Sequence, residues 1–382
     1  MVSLITPQQI SEVLTRYDSD AITVGTLGSH SALDICKGAK DEGLRTVTIC
    51  KKGREETYDR YYRVRKSFGR VCGVVDETIL LNKFNEILTP AIQSRLTSMN
   101  TIFVPHRSFT VYVPYDGIEG SFQIPIFGSR SLLRAEERDA ERNQHYLLEK
   151  AGIRTPRMFK RYTDIDRLVV VKVAEAERSY ERAFFYASTP KQFEERSTEL
   201  IRSGLITQKA LDKARIEEFV VGAQYNFNYF YSPLLGELEL LGTDARRQTN
   251  LDGLLRLPAD EQLKILDSVE VRNIEVGHFA ATLRESLLEK VFQIGERFVE
   301  TTKTEYPPGI IGPFALQGAV VPGPPEEDIV IFDVSLRVPG SPGTKATHYS
   351  ECLWGNPVST GRRIAMEIRA AVEDNRLEEI VT

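Results

Sequence analysis

The sequence predicts an α/β fold in its first third and an α+β fold in the remainder. In the first third, short apolar runs rich in β-branched residues alternate with helical stretches, which is typical of a parallel sheet. From Gln224 onward apolar and polar residues alternate, as they do in a half-buried antiparallel strand. A chain of 382 residues is long enough for more than one packed core, so we expect several domains.

The elements of the first third follow from these apolar runs and from the residues that end them. The predicted strands are Ala21–Val24, Leu44–Ile49 and Thr101–Val104, and the predicted helices are Ser31–Gly43 and Asp76–Leu88. In a parallel sheet, ligands bind beyond the carboxyl ends of the strands. The loops that follow the first and third strands are therefore the first candidates for a site.

The second half mixes helices with antiparallel strands. A highly charged helical stretch, Leu132–Ala151, is stopped by Gly152 and Pro156 and is interpreted as a solvated connecting helix. The remaining predicted strands are Leu168–Val173, Ala214–Tyr231, Phe314–Val321 and Asp328–Val334, and the remaining predicted helices are Pro190–Ser203 and Thr360–Ala371.

Composition argues against several classes of protein. The chain has no apolar run of about 18 residues, so we expect no membrane-spanning helix. Its first residues lack the basic start and apolar stretch of a secretion signal, which predicts a cytoplasmic protein. A net charge of -5 argues against a nucleic-acid partner. The cysteines have no CxxC spacing and are predicted to be reduced core residues: Cys36, Cys50, Cys72 and Cys352.

Two predicted strand ends carry side chains suited to a ligand. The stretch GTLGSHSAL, residues 25–33, places a glycine turn between a strand and a helix, where backbone N–H groups attract phosphate or carboxylate. His30 lies in this turn, and His106 and Ser108 follow the third strand in VPHRSF. A parallel sheet would bring both loops to one edge. The alternative is a plain tight turn and an ordinary loop.

A lysine inside an apolar strand indicates a second site. Lys172 in LVVVKV either extends its ammonium group to solvent or meets an anion such as a nucleotide phosphate. The segment EEFVVG, residues 217–222, offers backbone groups for an adenine edge and a carboxylate for a ribose hydroxyl. Together the two segments indicate a nucleotide cleft between two α+β lobes.

Gln317 and Asp333 lie on two predicted strands joined by a proline-rich turn. If these strands are adjacent and antiparallel, the two side-chain oxygens can share one face and hold a hard cation that bridges phosphates. Asp333, Ser335 and Arg337 alternate and should point the same way. The alternative is a polar sheet face with a surface ion pair.

Taken together, these segments resemble the archaeal ATP-grasp ligase family that makes 5-formaminoimidazole-4-carboxamide ribonucleotide (FAICAR) from formate, ATP and 5-aminoimidazole-4-carboxamide ribonucleotide (AICAR). The resemblance covers nearly the whole chain, and the segments that carry it are, in order, GTLGSH, CKKGRE, VPHRSF, FGSRSLLR, IEEFVVG, FYSPLLGELELLGTDARRQTNLDGLLR, LRESLL, PPGIIGPFALQ and FDVSLRV. It implies an ATP-grasp fold with an N-terminal parallel-sheet domain. The implied units are a ribonucleotide-binding domain at 1–125, a small ATP-grasp lobe at 126–205 and a large lobe at 206–382 that carries the metal and nucleotide site.

The resemblance also implies a reaction and roles for matched positions. ATP would phosphorylate formate to formyl phosphate, which the 5-amino group of AICAR would attack, in a folate-independent step of purine biosynthesis. The implied AICAR-binding residues are His30, Ser108 and Asn250, and the implied ATP-binding residues are Lys172, Glu217, Glu218 and Val220. His30 and Lys172 are the implied catalytic residues, and Gln317 and Asp333 would bind Mg²⁺ or Mn²⁺. The family implies a homo-oligomer, whereas composition and charge predict no nucleic-acid or membrane partner.

One segment departs from the family pattern. Family members carry a glycine-rich flap after the strand lysine, whereas residues 174–188 here read AEAERSYERAFFYAS and contain no glycine. Two interpretations follow: an active ligase in which Arg178, Ser179 or Arg182 replaces the amide contacts of the flap, or a paralogue that kept the ribonucleotide pocket but changed or lost ATP chemistry. A structural interaction protein is a third, which the ordered polar clusters disfavour.

Overall fold

The computed structural model describes residues 4–137, 140–173, 184–247, 251–269, 276–323, 326–340 and 342–382. Within them the chain forms a four-stranded parallel sheet, a four-stranded and a five-stranded antiparallel sheet, and a two-stranded hairpin. The strands are β1 (Thr23–Leu27), β2 (Arg45–Lys51), β3 (Arg65–Ser67), β4 (Arg70–Cys72), β5 (Glu77–Leu81), β6 (Thr101–Phe103), β7 (Met158–Phe159), β8 (Val169–Lys172), β9 (Phe184–Ala187), β10 (Arg215–Glu218), β11 (Ala223–Ser232), β12 (Glu237–Arg247), β13 (Gly277–Ala280), β14 (Gly312–Val321) and β15 (Asp328–Ser335).

Helices cover these sheets, and none of those described is long and apolar enough to span a bilayer. They are α1 (Pro7–Leu14), α2 (Ala32–Asp41), α3 (Pro90–Ser98), α4 (Arg107–Tyr112), α5 (Tyr115–Gly120), α6 (Arg130–Ala135), α7 (Gln144–Lys150), α8 (Pro190–Arg202), α9 (Gln208–Leu211), α10 (Leu251–Leu254), α11 (Ala259–Ile265), α12 (Leu288–Glu305), α13 (Tyr349–Trp354) and α14 (Thr360–Glu373).

The N-terminal sheet has the strand order β5-β2-β1-β6, and all its pairs are parallel. Val24 on one face packs with Ile35 of α2 and Ile364 of α14, while Leu27 on the other face packs in a core with Phe103 and Phe109. The chain runs from β1 to β2 on one side and later returns to β6 on the other. The boundary between β1 and β6 is therefore a topological switch point, where open α/β sheets bind their ligands.

The prediction of a helix over Asp76–Leu88 is wrong. Glu77–Leu81 forms β5, which pairs with β2, and only Phe84–Leu88 is helical, as a short 3₁₀ segment. Ile79 and Leu81 are buried whereas Leu80 is exposed, which is the two-residue period of a strand. The single helix predicted over 132–151 is also wrong, because the chain forms two helices, α6 and α7, and the side chain of Asn143 caps the second.

The four-stranded antiparallel sheet has the order β7-β10-β8-β9. One of its faces packs against α8 through a core that includes Val169, Val171, Ile216 and Phe193. Strand β10 pairs with β8, so this sheet contains residues from both sides of position 205, where the resemblance implies a boundary. The implied domain boundaries stay predictions.

The five-stranded sheet has the order β13-β12-β11-β14-β15 and presents two different faces. Phe227, Tyr229 and Phe314 on one face pack against α12. The opposite face carries polar side chains that are nevertheless buried: Asn226, Asn228, Asp244 and Gln317. A strand of alternating character explains both faces, because successive side chains point to opposite sides of a sheet.

The structure only partly confirms the prediction that all four cysteines are core residues. They are free, and Cys36 and Cys50 are buried, but Cys72 is partly exposed and Cys352 is exposed. Cys352 lies on α13, whose buried residues are Tyr349 and Ser350.

Candidate active site

His30 lies at the switch point, in the turn that follows β1, and adopts a left-handed backbone conformation with φ 49°. Its Nδ1 is 2.9 Å from Ser31 Oγ, and that hydroxyl donates to the carbonyl of Pro339 at 3.1 Å. Because a serine hydroxyl carries one hydrogen, His30 Nδ1 must be the donor in the first contact. In neutral His30, the acceptor nitrogen is therefore Nε2.

His106 connects His30 to Ser108. It follows β6, is fully buried, and stacks on His30 with ring centroids 5.7 Å apart. Its Nε2 is 2.9 Å from the carbonyl of Leu27, and its Nδ1 accepts from the Ser108 N–H at 3.2 Å. Burial lowers the pKa of His106 to about 4, so the ring is neutral near pH 7. The structure thus brings the loops of His30 and Ser108 together through a neutral imidazole.

A buried carboxylate and a third histidine lie near the loops of His30 and Ser108. Asp244 on β12 is fully buried and accepts from the side-chain amides of Asn226 and Asn228, each at 2.6 Å. His278 on β13 places Nδ1 2.6 Å from Asp244 Oδ1, and its side chain is 5% exposed. Sequence reasoning missed this pair: Asp244 stands in the quoted stretch GTDARRQTN, but His278 follows 34 residues later without a local pattern.

Gly340 lies close to both His30 and His278. A methyl group placed on its Cα would lie 2.8 Å from His30 Nε2 and 3.6 Å from His278 Nε2. Both imidazoles therefore lie close to the Gly340 backbone, and His30 leaves no room there for a side chain.

The predicted cation ligands lie on the same polar face. Gln317 on β14 is directly opposite Asp333 on β15, and Gln317 is also directly opposite Asn226, which pairs with Asp244. Four polar side chains thus form one row across four strands. One amide oxygen and one carboxylate are ligands that suit Mg²⁺ or Mn²⁺ when substrate phosphates supply further oxygens. The described residues contain no cluster of three His, Cys, Asp or Glu side chains that could bind a metal without such help.

Arg337 does not form the surface ion pair considered as an alternative. Its side chain is 9% exposed, and its Nε lies 3.3 Å from Glu136 Oε1. Burial lowers the pKa of Arg337, and the nearby Glu136 carboxylate opposes this shift. Glu136 Oε2 also lies 3.6 Å from the guanidinium group of Arg107. A buried basic group therefore adjoins the end of β15.

Lys172 meets a carboxylate of its own sheet. Its Nζ is 2.5 Å from Glu217 Oε2, and the two side chains are 11% and 2% exposed. Both residues lie on the face opposite to the core that packs on α8, since Val171 and Ile216 belong to that core. Of the two options considered for Lys172, the structure shows contact with an anionic group rather than extension to solvent.

Glu218 lies on the opposite face of the sheet from Lys172. Adjacent residues of a strand point to opposite faces, so Glu218 leaves the face that carries Glu217. Its carboxylate accepts from the Arg157 backbone N–H at 3.2 Å and lies 3.4 Å from the guanidinium of Arg167. Val220 lies in the connection between β10 and β11, which joins the two antiparallel sheets.

Two predicted features lie outside the described residues. Asn250 is one, and residues 174–183 of the glycine-free segment are the other. The last part of that segment, Phe184–Ala187, is β9, which pairs with β8.

Comparison with known proteins identifies the family. Two family models match, a protein of unknown function (DUF1246) over residues 24–159 and a domain of unknown function (DUF1297) over residues 192–382. The 5-formaminoimidazole-4-carboxamide-1-(beta)-D-ribofuranosyl 5'-monophosphate synthetase of Methanopyrus kandleri is 40% identical over 99% of this chain and 100% of its own length. The protein of that name from Methanothermobacter thermautotrophicus is 40% identical over 100% of both chains.

Solved structures agree with this assignment. The IMP biosynthesis protein PurP from Thermococcus kodakaraensis superposes with a TM-score of 0.70 at 30% identity, over 94% of this chain and 100% of that chain. The ADP complex of purK, an N5-carboxyaminoimidazole ribonucleotide synthetase, has a TM-score of 0.56 at 12% identity, over 88% of this chain and 78% of its own, and shows likeness of fold alone. The predicted ATP-grasp fold is confirmed, and the chain belongs to the FAICAR synthetase family.

Proposed function

We propose that this chain is an ATP-dependent formate ligase that converts AICAR to FAICAR. One oxygen of formate attacks the γ-phosphorus of ATP, ADP leaves, and formyl phosphate forms. The 5-amino nitrogen of AICAR then attacks the formyl carbon, the C–O bond to phosphate breaks, and an amide forms. The observation that carries the proposal is the 40% identity to named synthetases over the whole chain. It favours the ligase over a paralogue without ATP chemistry.

AICAR is proposed to bind at the switch point. His30 and Ser108 follow the two strands that border it, and both lie against His106. Glycine turns and helix starts at such strand ends suit the anionic part of a ribonucleotide. Asn250 is proposed as a third contact. His30 would orient the 5-amino group, because its Nδ1 is committed to Ser31 and its Nε2 is the acceptor.

ATP is proposed to bind along the smaller antiparallel sheet. Lys172 carries three donors, so its ammonium group can bind Glu217 and still contact phosphate oxygens. Glu217 and Glu218 end β10, and the chain then continues through Val220, whose backbone is proposed to meet the adenine edge. Glu218 is proposed to contact the ribose.

Gln317 and Asp333 would bind Mg²⁺ or Mn²⁺ together with phosphate oxygens. The cation supplies neutralisation of the charge that develops on the transferred phosphoryl group. The side chain of Asp333 is one methylene shorter than the glutamate usual in the family. The backbone of Asp333 lies directly opposite that of Gln317, which supports a cation shared by the two side chains.

The decisive measurement is ADP formation by the purified protein with ATP, Mg²⁺, formate and AICAR, compared with the omission of each component. We expect ADP and FAICAR in equal amounts only in the complete mixture. Binding of AICAR without turnover would instead identify the paralogue. The implied homo-oligomer stays a proposal, which light scattering of the same preparation tests.

A further inference from the structure

We propose that the hairpin of β3 and β4 is the arm by which this chain binds a second copy of itself, with Phe68 at the tip as its anchor. The inference rests on the homo-oligomer proposed above and adds the surface through which the two copies meet. It does not depend on the chemistry of the ligase, so the interface and the reaction are tested separately.

Phe68 lies at a position that disfavours a large apolar residue. Ser67 and Arg70 are paired across the hairpin, so Phe68 and Gly69 form its two-residue turn. Both have a left-handed backbone, with φ 51° and 72°, where asparagine and glycine are favoured and a bulky residue is strained. The ring of Phe68 is 102% exposed and is not buried by its own chain. Burial of this ring against another molecule would supply the missing stabilisation.

The rest of the hairpin is also exposed. Val71 of β4 is 67% exposed, and Tyr61 and Tyr62, which precede β3, are exposed as well. Aromatic residues and arginine are enriched in the centres of protein interfaces, and residues 60–71 contain three aromatic residues and four arginines. A two-stranded sheet is only marginally stable in water without a surface to pack on. Exposure and composition therefore both indicate a protein partner.

The charge of this segment favours a second copy as that partner. Residues 60–71 contain five basic residues and no acidic residue. The chain as a whole has a net charge of -5, so subtracting these five positive charges leaves -10 on the remaining residues. Arg63 lies 2.6 Å from Asp59, but no ion pair of the described residues involves Arg65, Lys66 or Arg70. A basic arm and an otherwise acidic body are complementary between two copies of one chain.

The same charges exclude a contact between the two hairpins. Two segments that each carry five positive charges repel each other, and such a juxtaposition lowers affinity. Each hairpin therefore lies on an acidic surface of its partner, and a two-fold axis then makes two identical contacts. Salt should weaken this association, because it screens the attraction between exposed charges.

The first test measures the mass of the full chain by light scattering over a range of protein concentrations. Phe68→Ser removes the ring, and Leu235→Ser is the matched control, because Leu235 is an exposed apolar residue in the turn between β11 and β12. We expect Phe68→Ser to raise the dissociation constant of the oligomer at least about tenfold, and Leu235→Ser to match the wild type. A monomeric wild type, or an oligomer of Phe68→Ser as tight as that of the wild type, would overturn the proposal.

The second test separates an acidic partner surface from a contact between hairpins. Lys66→Glu combined with Arg70→Glu should raise the dissociation constant, and so should an increase in sodium chloride from about 0.05 to about 0.5 M for the wild type. If two hairpins met, the charge reversal and the salt would both tighten the oligomer, and that result contradicts the arrangement.

Photo-cross-linking identifies the occupant without removing the aromatic ring. Benzoylphenylalanine in place of Phe68 reacts on irradiation with the groups that surround it. We expect the purified protein to give a product with twice the mass of one chain, attached within acidic segments of the partner. The absence of any product that joins two chains would refute the interface. FAICAR formation is measured on the same preparation, so a cross-linked protein without turnover would show that the proposed function fails while this interface stands.

Discussion

The neutral ring of His106 makes stability depend on pH. Burial lowers its pKa to about 4 from 6.5, so between these values the unfolded chain binds a proton that the folded chain does not. The contribution is constant above pH 6.5, falls as the pH drops through this window, and levels off below pH 4. We expect this residue to lower the free energy of unfolding by about 3 kcal/mol across the window, measured by urea unfolding at several pH values.

Two variants isolate this effect from that of the carboxylates. His106→Gln can keep a donor for Leu27 and an acceptor for the Ser108 N–H but does not titrate, so its stability should fall less with acid. His348→Gln removes an exposed histidine and should retain the wild-type dependence. Equal acid sensitivity of His106→Gln and the wild type would contradict a buried neutral ring.

Single residues differ in how far the sequence indicates their role. His30 and Ser108 follow β-branched runs, and the rule that parallel strands end at one edge is enough to bring them together. Gln317 and Asp333 lie on two strands joined by a turn, and the alternation of side chains along each strand predicts that the two can share one face. His278 could not be found this way, because its contact with Asp244 depends on the pairing of β12 with the short strand β13.

At the level of elements, the buried ion pair of Lys172 and Glu217 joins β8 to β10. Lys172→Met leaves the Glu217 carboxylate buried, with Arg215 Nε 3.5 Å away. We expect the free energy of unfolding to fall by about 2 kcal/mol, because one charge of a buried pair then lacks its partner. Replacing both partners, as in Lys172→Met with Glu217→Leu, should recover most of this loss in urea unfolding.

The same two variants test the role of Lys172 in nucleotide binding. Calorimetric titration with ATP should show weak binding for both, because neither has the ammonium group. If the stable double variant binds ATP like the wild type, Lys172 only joins two strands and contacts no phosphate.

Elements were predicted best where one pattern dominated. The strands around residues 23–27 and 169–172 follow directly from apolar β-branched runs, and the strand at 312–321 was predicted from the proline-rich stretches on both sides of it. Strand β5 was missed because residues 76–88 contain too few alternating positions to separate a strand from a helix. Its identity is decided by β2, which supplies the backbone partners.

At the scale of the whole molecule, the C-terminal helix α14 packs against α2 of the N-terminal part. Gly38 of α2 and Gly361 of α14 face each other so closely that a Cβ on Gly38 would lie 2.1 Å from the backbone N of Arg362. We expect Gly38→Ala to lower the free energy of unfolding by about 3 kcal/mol, because the helices must separate. Urea unfolding measures this.

The matched control is Gly253→Ala, since a Cβ there meets nothing within 4 Å. Alanine also favours a helix over glycine, so this variant should be as stable as the wild type or slightly more stable. Equal stability of Gly38→Ala and Gly253→Ala would show that the two helices can part without cost.

Whole-molecule contacts were the least predictable from sequence. The last residue, Thr382, exchanges backbone hydrogen bonds with Ile126 at 3.0 and 2.9 Å, and its hydroxyl accepts from the Arg130 N–H. The unit proposed for residues 206–382 therefore also completes the structure around residues 126–130. Apolar patterning shows that a helix such as α14 has a buried side, but it does not name the element that covers it.

The row that crosses the five-stranded sheet from Asp244 to Asp333 makes insertions and deletions far more disruptive than substitutions. Deleting one residue within β11 would turn Asn226 and Asn228 toward α12 and Phe227 and Tyr229 toward the polar face. Asn226 would then no longer lie between Asp244 and the proposed cation ligands. We therefore expect a one-residue deletion within β11 to disrupt this row more than a one-residue deletion in a surface loop.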